Sequence, residues 1–158
     1  MGVNPLYASG HMSMTPDGFR RLALGLPEAT EVGHMGHPDF RVGGKIFATL
    51  GYPDGGWGMV KLTPEQQEAL SSAEPAVFAP IKGAWGRGGA TNVRLGTAKA
   101  ASVRLGLALA WRNVAPRRLA DATGMSGLAK SAPKLGVKSA KPKGRAKVAK
   151  VKAPRKAR

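Results

Sequence analysis

The C-terminal stretch sets the limit on how much of this chain can fold. Residues 116–158 carry 14 Lys/Arg against the single acid Asp121. From Ala120 onward there is no aromatic residue, and the large apolar ones (Met125, Leu128, Leu135, Val137, Val148 and Val151) are scattered among Lys, Ala, Pro and Gly. Such a segment buries too little apolar surface to offset its ordering entropy. The sequence therefore predicts a disordered polycationic tail over 120–158 and a folded domain over 15–119. Residues 1–14 read as a flexible leader, with neither the basic start nor the apolar run of a secretory signal.

Of the net charge of +16, residues 1–115 contribute only +3. An excess this large and this localised implies a polyanionic partner, nucleic acid before an anionic membrane. The absence of cysteine excludes disulfides, a thiol nucleophile and Cys-type metal sites, and points to a reducing, cytoplasmic compartment. The richest apolar stretch, Leu105 to Trp111, is interrupted by Gly106 and flanked by Arg104 and Arg112, too short to span a bilayer.

Within the domain, Thr15-Pro16-Asp17 supplies a capping hydroxyl, a proline at the first helical position and an acid in the first turn. Phe19, Leu22, Ala23 and Leu26 follow at helical spacing, and Pro27 ends the run. Thr63-Pro64-Glu65-Gln66 has the pattern of a capping box and predicts a helix to about Ser72. A third helix is expected from near Thr97 to before Pro116. It has Ala101, Leu105, Ala108 and Leu109 on one face and Val103, Leu107 and Trp111 on another, an apolar pattern that predicts burial on both. Between the helices the period is two. Phe40 to Val42, the Gly43-Gly44 turn and Lys45 to Leu50 read as a hairpin, Trp57 to Leu62 as a strand after the Tyr52 to Gly56 turn, and Thr91 to Leu95 as a later strand. The expected class is α+β, an antiparallel sheet covered on one face by helices.

The strings GHPDFRVGGKIFATL, GWGMVKL, AWGRGGATNVRL and AWRNVAPRRLA, in that order and spacing, closely resemble the MmcQ/YjbR family of small bacterial proteins. The resemblance covers residues 15–119 and implies an α-β(3)-α-β(2)-α fold. It also implies DNA binding, for which hairpin wings are the contact elements proposed in that family. The tail is not part of the family pattern and resembles that of a linker histone.

The candidate site residues follow from charge and turn chemistry. Lys82-Gly83-Ala84-Trp85-Gly86-Arg87-Gly88-Gly89 is the wing candidate: its glycines let backbone approach a phosphate, Lys82 and Arg87 supply charge, and Trp85 either stacks on a ligand or packs inward. Arg41 and Lys45 flank the Gly-Gly turn as a second contact. In the tail, Lys130, Lys134, Lys138, Lys141, Lys143, Arg145, Lys147, Lys150, Lys152, Arg155, Lys156 and Arg158 are twelve cations with no acid among them. Lys141 to Ala146 loosely resembles an AT-hook core, with Lys143 in place of its first arginine and Ala146 in place of its proline. Trp57, Trp111, Phe19 and Phe47 are expected in the core.

His34, His37 and Asp39 are metal-ligating residue types, but His-x-x-His brings two rings together on a helix, whereas this segment is extended and enters Pro38. No metal is expected there. There is no G-x-S-x-G elbow and no G-x-x-x-x-G-K-[ST] loop, and Gly86 to Thr91 lacks the third glycine of a dinucleotide fingerprint. Glu28 and Glu31 read as a solvated edge. The sequence thus predicts a non-enzymatic, cofactor-free, nucleoid-associated DNA-binding protein that acts mainly through phosphate neutralisation. The alternatives are a protein-interaction or chaperone-like module that uses its sheet, and an RNA-binding protein.

Overall fold

The computed structural model describes residues 13–34 and 36–124. Helix α1 (Pro16–Leu24) opens as its sequence dictates, the Thr15 hydroxyl accepting a hydrogen bond from the Gly18 amide at 3.0 Å. Phe19 and Ala23 are fully buried on its inner face. Four strands follow, β1 (Thr30–His34), β2 (His37–Val42), β3 (Lys45–Leu50) and β4 (Trp57–Lys61). Helix α2 (Pro64–Ala73) begins with the expected capping box: Thr63 Oγ1 accepts from the Gln66 amide and Gln66 Oε1 from the Thr63 amide. Then come β5 (Phe78–Pro80), a single helical turn α3 (Ala84–Arg87), β6 (Ala90–Arg94), a 3-10 turn at Leu95–Thr97, α4 (Ala100–Val114) and α5 (Arg117–Ala122).

The six strands form one antiparallel sheet in the order β1-β2-β3-β4-β6-β5, so the α+β class is as expected. The sheet holds one strand more before α2 than the expected pattern. That strand, β1, lies at the sheet edge with Thr30 to Gly33 all exposed, so no burial period marks it in the sequence. Helices α1 and α4 pack together on one face of the sheet. Two glycines let these layers close up. A Cβ on Gly58 would lie 2.8 Å from the Phe19 ring, and one on Gly106 3.1 Å from the Phe78 ring. Trp111, also fully buried, donates from Nε1 to the Pro27 carbonyl at 2.9 Å and ties α4 to the segment after α1.

Three expectations are corrected here. The third helix starts at Ala100, because the Thr97 hydroxyl donates to the Ala76 and Arg94 carbonyls and so does not cap it. Only one face of α4 is buried, that of Val103, Leu107, Ala110 and Trp111. Ala101 and Leu105 are exposed, because the sheet lies on one side only. The expected domain end at residue 119 falls inside α5, where Ala120 is buried against the core. At the other end, Met14 already belongs to the fold, its amide donating to the Ala98 carbonyl at 3.1 Å. The rest of the expected leader, residues 1–12, and residues 125–158 of the expected tail lie outside the described residues. Among the described residues no helix is long and apolar enough to cross a membrane.

Candidate functional site

Alternation along the strands assigns every side chain of the sheet to one of two faces. Gly58 meets Phe19 of α1, so Gly58, Val60, Ala48, Leu50, Phe40 and Val93 face the helices. Asp39, Thr49, Met59, Asn92 and Ala79, which lie opposite one another across five strands, therefore form a row on the second face. Neither α1 nor α4 reaches that face. A β-bulge sharpens the division: the β2–β3 register passes from Phe40↔Ala48 to Arg41↔Ile46, skipping Phe47. Phe47 and Ala48 both turn inward and are fully buried, and Ile46 is left on the second face.

Over this second face lies α3. Two adjoining cavities separate it from the strands. One, of about 410 Å³, is lined by Thr49, Tyr52, Met59, Ile81, Lys82 and Trp85. The other, of about 470 Å³, shares Thr49, Met59 and Trp85 and adds Asp39, Ile46 and Lys61. Together they make a largely apolar groove bordered by two aromatic rings in solvent, Trp85 at 75% exposure and Tyr52 at 60%. The Tyr52 ring is met edge-on by His37 at 6.4 Å.

The wing candidate takes a different shape from the one its glycines imply. A Cβ on Gly86 would lie 1.5 Å from the Ile81 carbonyl oxygen, and one on Gly89 2.0 Å from that of Leu62. These glycines serve close approach of the chain to itself, folding the loop into α3 against the sheet. Trp85 nevertheless points out to solvent. Lys82 and Arg87 are exposed, and neither makes an ion pair with any described residue.

The second expected contact is divided. Gly43 and Gly44 have φ of 55° and 77°, as a two-residue hairpin turn needs, but the hairpin tip rests on Pro116: a Cβ on Gly43 would lie 3.0 Å from that ring. Lys45 beside it is exposed. Arg41 is half-buried and donates from Nη2 to Asp39 Oδ2 at 3.2 Å, so it neutralises the one carboxylate lining the groove.

Trp57, expected in the core, is half-buried on the second face with the Arg94 guanidinium over its ring at 4.9 Å; Trp111, Phe19 and Phe47 are in the core as expected. The register sets His34 opposite His37. Among the described residues no three His, Cys, Asp or Glu side chains cluster closely enough to hold a metal ion. The twelve tail cations, Lys130 to Arg158, lie outside the described residues. Sequence reasoning missed Tyr52, Met59, Lys61 and Ile81 as site residues. The alternation Trp57, Met59, Lys61 in β4 was the available signal for the face they share.

Comparison with protein families matches residues 24–113 to the YjbR family, a span running from the end of α1 through most of α4. The chain belongs to the YjbR family. Among solved structures, this YjbR protein is similar to the crystal structure of Deinococcus radiodurans protein DR2400, described there with a DUF419 domain. The two are 22% identical with a TM-score of 0.57, and the match covers 71% of this chain and 89% of that one. At this identity the likeness speaks for the fold. No curated protein matches the chain.

Proposed function

We propose that this YjbR protein binds nucleic acid without catalysis, DNA foremost, by neutralising backbone phosphates, and associates with the nucleoid. The observation that carries this reading is the charge partition: twelve Lys/Arg and no acid follow Ala129. Like charges at that density repel one another unless a polyanion supplies the counter-charge, and each phosphate neutralised releases condensed counterions. The exposed Lys45, Lys82 and Arg87, which make no ion pair with a described residue, add positive charge on the folded domain. Phosphate contacts carry no base information, so affinity is similar on A·T-rich and G·C-rich duplexes. A strong A·T preference would point instead to the AT-hook-like segment Lys141 to Ala146.

The test is a duplex titration across a salt series with the full chain and with a chain ending at Ala129. If half to two-thirds of the twelve cations engage, log K falls against log[salt] with a tail contribution to the slope of about −5 to −7, at about −0.9 per phosphate. Equal affinity and equal slope for the two chains refutes the reading. The exposed rings over the sheet face opposite α1 and α4 favour a second reading, a module that docks a protein partner. That reading leads if neither chain binds any nucleic acid.

A further inference from the structure

We propose that the groove between α3 and the face of the sheet opposite α1 and α4 takes unpaired bases of single-stranded nucleic acid, stacked on Trp85 and Tyr52. This rests on the nucleic-acid reading above and names the form of polymer the groove accepts.

Three observations converge on it. First, Trp85 and Tyr52 are 75% and 60% exposed, and both line the 410 Å³ cavity, whose sheet side is Thr49 and Met59. Base stacking on such rings tolerates any sequence, because every base has a π-face. Second, the backbone that carries Trp85 is fixed before any ligand arrives, and the Tyr52 ring already has a neighbour. Trp85 sits on a turn locked by the backbone approach of Gly86 to Ile81 and of Gly89 to Leu62, and Tyr52 is braced by His37. Preorganisation of this kind reduces the ordering cost of binding. Third, the charge around the groove is complementary to a phosphate backbone. Lys82 lines the same cavity, Lys61 lines the adjoining one, Arg87 closes α3, and none of the three makes an ion pair with a described residue. The groove's carboxylate, Asp39, is already neutralised by Arg41. An apolar peptide would use the rings but leave these cations uncompensated, so the charge favours a polyanion. A duplex keeps its base faces stacked inside, so the groove favours single strands over duplex, whereas phosphate contacts from the tail engage both.

The test uses the full-length chain and measures its affinity for a labelled oligothymidylate of about fifteen nucleotides and for a duplex of equal length. The variants are Trp85→Ala, Tyr52→Ala and Trp85→Phe. Because both rings are largely in solvent, truncating them leaves no internal cavity, and unchanged thermal unfolding checks that. Trp85→Ala and Tyr52→Ala should each weaken single-strand binding about tenfold while duplex affinity stays within about twofold, and Trp85→Phe should restore most of the loss. Unchanged single-strand affinity in Trp85→Ala, or an equal loss on the duplex, overturns the groove assignment and leaves the nucleic-acid reading standing. Failure of the unmodified chain to bind either polymer overturns both. Displacement of Trp85-dependent binding by an apolar peptide, with no effect of oligothymidylate on the Trp85 environment, also overturns the assignment, in favour of a protein partner.

Discussion

Two residues show how local chemistry is tied to its surroundings. Gly86 has a helical neighbourhood that alanine would ordinarily favour, yet the added methyl would lie 1.5 Å from the Ile81 carbonyl oxygen. Gly86→Ala must therefore displace α3. It should change the emission of the exposed Trp85 and cost about 1–3 kcal/mol in chemical denaturation, as overpacking against fixed atoms does. Unaltered emission together with unaltered stability would show the turn to be loosely held. Glu65, in the first turn of α2, has its carboxyl held below the ordinary carboxylate range by a hydrogen bond from its own backbone amide and then by the Thr63 hydroxyl. Because the folded-state pKa is the lower one, its contribution to stability is present above the unfolded-state pKa and is lost as pH falls through the folded-state value. Glu65→Gln should thus be slightly less stable than the parent near neutral pH, and the two should converge in acid. A difference that widened in acid would reverse the sign of this argument.

At the scale of elements, the bulge in β3 matters most, because it sends Phe47 into the core and leaves Ile46 facing the groove. Phe47→Ala should cost about 3–5 kcal/mol, a large share of the roughly 5–15 kcal/mol that stabilises a domain of this kind. Urea unfolding measures it directly. Helix α3 is the opposite case. Lys82 and Arg87 are exposed and make no ion pair with a described residue, so replacing both with alanine should leave the unfolding midpoint nearly unchanged. Binding of single strands by the double variant should fall, and its salt slope should become shallower by up to about 1.4 if both contact phosphates, at about 0.7 per phosphate on a single strand. Retention of the full slope would assign all phosphate contacts elsewhere in the chain.

For the whole molecule, the buried residues run from Phe19 to Ala120, so the core closes only when α5 is in place. A chain ending at Gly124 should unfold cooperatively, with the same midpoint as the full chain. One ending at Ala115 loses the burial of Leu119 and Ala120 and the Pro116 rest for the Gly43 hairpin tip, a loss of about 2 kcal/mol. Equal midpoints for all three chains would mean that α5 adds nothing. The charge divides along the same line. All nine acids precede Ala122, whereas twelve of the 25 cations follow Ala129, so most of the excess positive charge lies outside the core-forming part of the chain.

Sequence alone determined the features that three or four neighbouring residues can satisfy among themselves. The Thr15 and Thr63 caps, the Gly43-Gly44 turn and the charge partition all rest on hydrogen bonds, φ preferences or charges that do not depend on distant residues. Tertiary structure decided what depends on partners far along the chain. Edge strand β1 is defined by its pairing with β2 and not by an apolar period. Gly86 and Gly89 of the Lys82 to Gly89 segment lie against the Ile81 and Leu62 carbonyls, and Trp85 beside them stands in solvent along the cavity it shares with Met59. An indole in a glycine-rich loop fits a core or a binding surface equally well by composition. The backbone that crosses beneath it determines which face it shows.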